Sequence, residues 1–263
     1  MSKKKVAVYI DGFNYYYAII DYLRNSDNKV SLKWLDYRKF ITESVLKDTE
    51  YSKSDLKINF YTAINGYRKD NSVAKHEIYL EALRNKNINV VKGYYKLRET
   101  FLGCHVTCEQ CTAPVYVKKY TINGKPLKCS RCKKDIDLSI VKTVQHPEEK
   151  QTDVNIAKDI LVDALQENPY DIFILLSTDS DFVPVADHVV NVCKKEFWVI
   201  APATKIVRKS KNEQGELVEK GEYRYGIDKF LDIGANSQRI RIPRLNRYQL
   251  PNPFGNIKKP SEW

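Results

Sequence analysis

Short apolar runs alternate with segments of helical periodicity along most of the chain. The apolar runs predict strands, which lie near residues 5–10, 56–63, 88–95, 171–177 and 196–201. The helical segments lie near residues 13–24, 34–47, 72–86, 152–167 and 181–194. Regular alternation of this kind is typical of βαβ units, so the sequence predicts an α/β fold with a mainly parallel central sheet.

The alternation is interrupted twice. Between about residues 98 and 140 the cysteines cluster, and after residue 201 the chain becomes polar and basic, with several prolines. We therefore predict three regions, which are a discontinuous α/β domain (1–98 and 140–201), an inserted module (99–139) and a basic C-terminal extension (202–263). Within the extension, residues 209–226 are typical of a polar hairpin or loop.

Four aspartates stand where predicted strands end or a helix begins. Asp11 ends the first strand, and Asp179 and Asp181 follow the strand near 171–177. Asp153 begins the helix near 152–167 and shares the stripe of Ile156, so we expect it to point toward the same edge of the sheet rather than into solvent. Because the carboxyl ends of parallel strands meet at one edge of a sheet, the four carboxylates are expected to converge there.

A cluster of carboxylates indicates a site for a divalent cation. Like charges held together are costly unless protons or cations neutralise them, and oxygen ligands favour Mg²⁺ or Mn²⁺. A bound cation of this type activates water and clamps phosphodiester oxygens, which predicts a hydrolytic nuclease. We expect Asn14 to position a water or orient Asp11, and Lys150 to contact the scissile phosphate. The alternative is that the acids only cap helices and turns.

Composition and charge suggest the partner. The net charge is +11 with a pI near 9.2, and the chain has 18 tyrosines, which favours a polyanion with stackable bases and therefore RNA. No apolar run approaches the length of a bilayer span, and the basic start lacks the apolar region of a signal peptide, so we expect a cytoplasmic protein without membrane contact. A P-loop and a GxGxxG fingerprint are both absent from the sequence, which argues against nucleotide hydrolysis and dinucleotide redox chemistry.

The cysteines have the spacing of a metal site. Two C-x2-C pairs, Cys108 with Cys111 and Cys129 with Cys132, match a four-thiolate zinc ribbon, and two disulfides are disfavoured in the cytoplasm. Cys104 and His105 lie close enough in sequence to substitute as ligands. Lysines surround the two pairs, where they either extend an RNA-binding surface or keep a small module soluble. These lysines are Lys118, Lys119, Lys125, Lys128, Lys133 and Lys134.

Three stretches of the chain resemble the NYN domain family, a LabA-like branch of the PIN-like nucleases. They are "VAVYIDGFNYYYAI" from residue 6, "EEKQTDVNIAKDILVDAL" from residue 148 and "DIFILLSTDSDFVPVADHVV" from residue 171. The resemblance covers most of residues 5–201 and leaves the cysteine segment as an insertion. It implies a PIN-like three-layer α/β sandwich with an inserted zinc ribbon.

The resemblance also implies an activity and its residues. The matching positions for Mg²⁺- or Mn²⁺-dependent RNA cleavage are Asp11, Asp153, Asp179 and Asp181, with Asn14 and Lys150 also at family positions. Asp159 matches a recurrent acid but lies off the stripe of Asp153, so we expect a surface or supporting role. The sequence departs from the family at Thr178, where glycine is usual, and a β-branched residue restricts the turn before Asp179.

Three functions compete at this point. The first is a metal-dependent endoribonuclease, and the second is an RNA-binding protein of the same fold with weak or no turnover. The third is a phosphatase of the haloacid dehalogenase type, because "DSDFV" after an apolar strand fits a pattern whose first acid is a phosphoryl nucleophile. That pattern normally starts its domain, and too little regular chain follows it here. We therefore place the endoribonuclease first.

Overall fold

The computed structural model describes residues 3–24, 32–68, 71–101, 104–117, 128–136, 143–203, 205–211, 217–223, 227–261 and 263. The chain divides into two compact units, each described by itself. The α/β unit consists of Met1–Tyr94 and Lys150–Trp263, and the cysteine unit consists of Tyr95–Glu149. None of the helices that the structure describes is both long and apolar enough to cross a membrane.

The elements follow one another in the predicted alternation. The strands are β1 (Lys4–Asp11), β2 (Tyr51–Thr62), β3 (Asn89–Lys92), β4 (Tyr94–Phe101), β5 (Cys104–Thr107), β6 (Pro114–Val117), β7 (Thr143–Lys150), β8 (Ile172–Leu176), β9 (Glu196–Ala203), β10 (Lys205–Lys211), β11 (Leu217–Tyr223) and β12 (Asn236–Arg241). The α-helices are α1 (Gly12–Arg24), α2 (Tyr37–Phe40), α3 (Ser72–Arg84), α4 (Thr152–Leu165), α5 (Val183–Asp187) and α6 (Asp228–Asp232). The π-helical turns are Ile41–Val45 and His188–Val192, and the 3₁₀ turns are Ser180–Phe182 and Ile242–Tyr248.

The central sheet of the α/β unit is parallel, as predicted. Its order is β12-β9-β8-β1-β2-β3, and every neighbouring pair runs in the same direction. Asp11 at the end of β1 lies opposite Tyr61 of β2, and Ile10 lies opposite Leu176 of β8. All six strands therefore end at the same side of the sheet, which we name the carboxyl edge.

The two faces of the sheet bury different helices. Side chains alternate along each strand, so Val6 and Val8 pack on one face with α1 and α3, and Ala7 and Tyr9 pack on the other face with α4 and α5. Ile156 is fully buried in α4, as its stripe predicts. These two apolar layers confirm the predicted three-layer α/β sandwich.

Residues after 201 also belong to the α/β unit. β12 adds the sixth strand to the sheet beside β9 and is not among the five strands predicted from apolar runs, although the alternation of Arg239 and Arg241 with apolar residues is compatible with a strand. The Trp263 ring lies 5.4 Å from the Tyr79 ring, and the Trp34 indole N–H donates to the Pro251 carbonyl oxygen at 3.1 Å. β10 and β11 form an antiparallel pair, in agreement with the hairpin predicted for 209–226.

Two predicted helices are interrupted. The segment predicted as a helix near 34–47 contains α2 followed by a π-helical turn. Asp36 accepts a hydrogen bond from the Lys39 N–H, which sets the start of α2 at Tyr37. The segment near 181–194 becomes a 3₁₀ turn, α5 and a second π-helical turn.

Candidate functional site

Asp11 is held in place at the junction of β1 and α1. Its side chain is only 6% exposed, and its two carboxylate oxygens accept hydrogen bonds from the Asn14 backbone N–H and the Ser177 hydroxyl, both at 2.9 Å. A Cβ atom on Gly12 would lie 2.5 Å from the Phe60 ring, so glycine is required there for close packing against β2. The acid is therefore fixed by contacts from three segments.

Asp179 and Asp181 follow β8 at the carboxyl edge. The Ser177 hydroxyl oxygen accepts from the Asp179 N–H at 3.2 Å, and the Asp179 carboxylate accepts from the Asp181 N–H at 3.0 Å. Asp179 is therefore a cap, as one interpretation of the sequence predicts, but the same serine also joins it to Asp11. The Thr178 hydroxyl donates to the Asn14 side-chain oxygen at 3.1 Å, so this departure from the family pattern contributes a contact.

Asp153 reaches the carboxyl edge from the first turn of α4. The helix is preceded by Gln151 in the left-handed region (φ 77°), and a Cβ atom on Gly93 would lie 2.5 Å from the Lys150 carbonyl oxygen. The side chain of Asp153 is more exposed than its stripe predicts, because Thr152 is the buried residue of that first turn, but it lies close enough to Asp179 and Asp181 to feel their charges. Lys150, the last residue of β7, is half-buried three positions before Asp153.

The charges of these aspartates act on one another. The pKa of Asp11 is raised to about 6, mainly by burial and in smaller part by the charges of Asp153 and Asp179, although the hydrogen bonds from Asn14 and Ser177 act to lower it. The pKa of Asp153 is also raised, by partial desolvation and then by the charges of Asp179 and Asp181. The carboxylates thus form one electrostatic cluster, which we name the acid cluster (Asp11, Asp153, Asp179 and Asp181).

The acid cluster is looser than a closed metal cage. Among the described residues, one set of three or more metal-type ligands has all its ligand atoms within 4.8 Å of one another, and that set is the four cysteines rather than the aspartates. The aspartates are near enough for their charges to interact but leave room between them. Such spacing suits a cation that keeps part of its water shell.

The cysteine unit brings its four thiols together. The sulfur atoms of Cys108 and Cys132 lie 3.6 Å apart, as do those of Cys111 and Cys129. Zn–S bonds of about 2.3 Å in a tetrahedron place sulfur atoms about 3.8 Å apart, so the cluster has the dimensions of a zinc site. The distances between the four sulfur atoms therefore confirm the metal-binding arrangement predicted for the four cysteines.

Two similar turns produce the cysteine cluster. The Cys108 N–H donates to Ala113, the Cys129 N–H donates to Lys134, and the fifth residue of each turn has positive φ, at Thr112 (54°) and Lys133 (62°). Hydrogen bonds from the backbone N–H groups of Cys132 and Arg131 help to lower the pKa of the Cys129 thiol to about 6, which favours the thiolate that binds metal.

Some predicted features of this module fall outside the described residues. They are the side chains of Cys104 and His105 and the whole of Lys118, Lys119 and Lys125. Lys128, Lys133 and Lys134 are described and are exposed.

Sequence reasoning missed Ser177 and a polar network under α4. Ser177 is fully buried and bridges two members of the acid cluster. The signal for it was a hydroxyl directly between a buried strand and a pair of acids. Asp163 accepts from the Tyr9 hydroxyl at 2.6 Å and pairs with Lys57 at 2.7 Å, so it satisfies a buried tyrosine within the layer between the sheet and α4.

Asp159 has a supporting place in the structure. Its carboxylate accepts from the Tyr61 hydroxyl at 2.9 Å and pairs with Lys158 at 3.0 Å. Tyr61 in turn accepts from the Asn59 side chain at 3.0 Å and Asn59 accepts from the Asn89 side chain at 3.1 Å, so the aspartate ends a chain of hydrogen bonds that begins on β3. This arrangement fixes α4 on the sheet.

Comparisons with known proteins identify the family. Among solved structures, the chain is similar to a protein of unknown function from Vibrio parahaemolyticus RIMD 2210633, with 17% sequence identity, a TM-score of 0.45 and coverage of 90% of this chain and 93% of that chain. No curated protein matches the chain. The model of the NYN domain matches residues 86–217, which is half of the chain; the match begins after Asp11 and Asn14 and includes the other predicted site residues. The chain therefore belongs to the NYN domain family, whose members are PIN-like nucleases.

Proposed function

We propose that this protein is a metal-dependent endoribonuclease that hydrolyses RNA phosphodiester bonds at the acid cluster. The observation that carries the proposal is the mutual effect of the aspartates, because Asp153 and Asp179 add to the unfavourable charge of a buried Asp11. Clusters of carboxylates that raise one another's pKa are costly and concentrate at functional sites. The family membership supports nuclease chemistry at this edge of the sheet.

The donor atoms of the acid cluster suit Mg²⁺ or Mn²⁺. All of them are carboxylate oxygens, and both cations are commonly held by one or two carboxylates together with waters and substrate phosphates. We expect Asp11 and Asp179 to hold the cation most directly, since Ser177 fixes both, and Asp153 and Asp181 to complete the site through water or directly. A bound cation lowers the pKa of a water and offsets the charge that develops on the phosphate.

The neighbouring residues orient the reacting groups. Thr178 and Asp11 hold Asn14 through its side chain and backbone respectively, so its amide is positioned to orient the attacking water. We expect Lys150, which lies beside the start of α4, to contact the scissile phosphate. The net charge of +11 favours the approach of a polyanion such as RNA.

The cysteine unit holds a structural zinc ion in this proposal. The buried apolar residues that its described part contributes around the thiols are few, namely Val106, Ala113 and Val115. A core of that size does not stabilise a fold alone, so metal binding supplies the missing free energy. Four cysteines leave no open position for substrate, which distinguishes this site from a catalytic zinc site.

Cleavage of labelled single-stranded RNA by the full-length, zinc-loaded protein tests the proposal. We expect internal cuts that require Mg²⁺ or Mn²⁺. The cleavage rate should fall at least about 100-fold in Asp11→Asn and Asp179→Asn, because the loss of a residue that only supports a metal ligand already costs up to about 100-fold. Asp55→Asn is the matched control, because Asp55 is an exposed carboxylate near the opposite end of β2.

Other outcomes would assign another function. RNA binding without cutting by the unmodified protein would favour a binding protein of this fold. Hydrolysis of small phosphomonoesters but not of RNA would favour a phosphatase with Asp179 as nucleophile.

A further inference from the structure

Exposed aromatic side chains in the α/β unit lie in the segments that follow β1, β2 and β3. Where the structure describes exposure, four aromatic residues are more than a third exposed: Tyr16 (38%), Tyr17 (55%), Tyr67 (49%) and Tyr94 (48%). All four lie within six residues after the end of β1, β2 or β3. Because these segments leave the carboxyl edge from neighbouring strands, the exposed rings are candidates for contact with one ligand.

The rings follow the order of the strands. Tyr17 lies on α1 directly after β1, Tyr67 lies in the turn after β2, and Tyr94 follows β3. β1, β2 and β3 are consecutive in the sheet, and neighbouring strands are about 4.8 Å apart. The strand ends that carry the rings therefore span about 10 Å, starting from the strand that carries Asp11.

The rings on α1 form a small stacked group. The Phe13 and Tyr17 rings are stacked with centroids 6.1 Å apart, and Tyr16 meets Tyr17 edge-on at 5.6 Å. The opposite face of the helix buries Tyr15 and Ala18, so this group faces away from the core. Tyr17 lies about 9 Å along the helix from Asp11, given a rise of about 1.5 Å per residue.

The other two rings are attached to ordered backbone. The Tyr67 N–H donates to the Asn65 side chain at 3.2 Å, and the exposed Arg68 follows it with its own N–H bonded to the Asn65 carbonyl oxygen at 3.2 Å. Tyr94 follows Gly93, whose N–H donates to Thr62 at the end of β2 at 2.8 Å. Neither ring depends on an unsupported loop for its position.

We infer that the tyrosines Tyr17, Tyr67 and Tyr94 bind single-stranded RNA by stacking on unpaired bases that lead into the acid cluster. The inference rests on the proposed function and adds the side chains that hold the RNA beside the acid cluster. Flat rings beside a basic side chain such as Arg68 match the face of a base and its phosphate, whereas the bases of a duplex are already stacked on each other. The enzyme then selects unpaired segments and cuts within or beside them.

Binding measurements on an uncut complex test the inference. The full-length protein carrying Asp11→Asn is titrated into a 12-nucleotide single-stranded RNA that contains the fluorescent base 2-aminopurine, and into the matching duplex. Replacing Tyr17, Tyr67 or Tyr94 by leucine is expected to weaken single-strand binding about tenfold each, as the loss of one stacked base does, and to relieve 2-aminopurine quenching. Tyr17→Phe keeps the ring and is expected to bind normally.

The control is a tyrosine-to-leucine substitution at the opposite edge of the sheet, where the parallel strands begin. Tyr170 is half-buried just before β8, so Tyr170→Leu is expected to leave single-strand binding unchanged. Equal affinity of Tyr17→Leu, Tyr67→Leu and Tyr170→Leu for single strands would overturn the inference, as would tighter binding of duplex than of single strand. Because binding is read without cleavage, failure of the stacking can be told apart from failure of the proposed nuclease.

Discussion

The four cysteines and the four aspartates are both candidate metal ligands, but the chain assembles them differently. The cysteines come from two short turns within one module, and their ligand atoms all lie within 4.8 Å of one another. The aspartates come from the end of β1, the start of α4 and the turn after β8, and they meet only because three segments share one edge of a sheet. One site is closed by local backbone geometry, and the other is held open by tertiary structure.

The difference fits the two functions that we propose for these sites. A structural zinc site gains stability from a full set of protein ligands, so its atoms are drawn together. A catalytic site for Mg²⁺ or Mn²⁺ leaves positions for water and substrate, and the mutual repulsion of its acids remains until the cation binds. Removing a ligand should therefore unfold the cysteine unit but relieve repulsion in the acid cluster.

Loss of a zinc ligand is expected to have the largest effect. Cys108→Ser should lose the zinc ion and expose the cysteine unit to limited proteolysis, because zinc contributes about 10–16 kcal/mol in comparable small sites. Cys193→Ser is the matched control, since Cys193 packs partly against the core of the α/β unit. Zinc content and protease protection measure the outcome. A Cys108→Ser protein that keeps one zinc ion and resists protease would contradict the assignment.

Removing the charge of Asp11 is expected to stabilise the protein in the absence of Mg²⁺ and Mn²⁺. The folded-state pKa of about 6 exceeds the ordinary value of 3.8, so the folded state holds more protons between these values and stability falls as pH rises through that range. Asp11→Asn should therefore gain up to about 3 kcal/mol at pH 7.5 and much less at pH 4.

Urea unfolding at the two pH values measures this effect. Asp55→Asn should change little at either pH, and Mn²⁺ should stabilise the unmodified protein at pH 7.5 but not the Asp11→Asn protein. Equal destabilisation of Asp11→Asn at both pH values would show that the acid is a structural cap alone.

Loss of the serine bridge should weaken the cation without unfolding the chain. Ser177→Ala removes the hydroxyl that joins Asp11 to the backbone of Asp179. Supporting contacts of this kind are worth about 10- to 100-fold in metal affinity or activity. The Mn²⁺ dependence of cleavage should shift accordingly, whereas Ser180→Ala, an exposed neighbour in the same turn, should be neutral. Identical curves for the two variants would remove Ser177 from the site.

The smallest effect is expected at Thr178. Thr178→Val removes the hydrogen bond to Asn14, and a net contribution of about 0.5–1.5 kcal/mol corresponds to about a 2- to 10-fold fall in kcat. Thr178→Ser keeps the hydroxyl and should retain activity. If the valine and serine variants cleave RNA at the same rate, Asn14 is not positioned through this contact.

The sequence predicted the parts of the fold that depend on local patterns. Five strands of the parallel sheet follow from apolar runs, and the zinc spacing follows from two C-x2-C pairs. The alternation in β12 left a strand as only one of two interpretations, because its polar residues alternate with few apolar ones and its pairing with β9 is set by tertiary contacts. The C-terminal residue Trp263 was not expected against Tyr79, since nothing local marks so distant a contact.

In the acid cluster, too, the sequence predicted the positions of residues better than the contacts of their side chains. The positions of Asp11 and Asp179 after strands were readable from the sequence, but the exposed orientation of Asp153 was not, because helical spacing alone does not say where a first turn begins to bury residues. Ser177 was overlooked because its role appears only when β1 and β8 are adjacent.

Mn²⁺ uptake at pH 7.5 tests the central claim most directly. Electron paramagnetic resonance counts free Mn²⁺ in solutions of the zinc-loaded, full-length protein, with and without single-stranded RNA. The account predicts at least one Mn²⁺ bound per chain, lost in the Asp11→Asn, Asp179→Asn double variant and retained in Asp55→Asn. No uptake by the unmodified protein even with RNA present, or uptake that persists in the double variant, would contradict it.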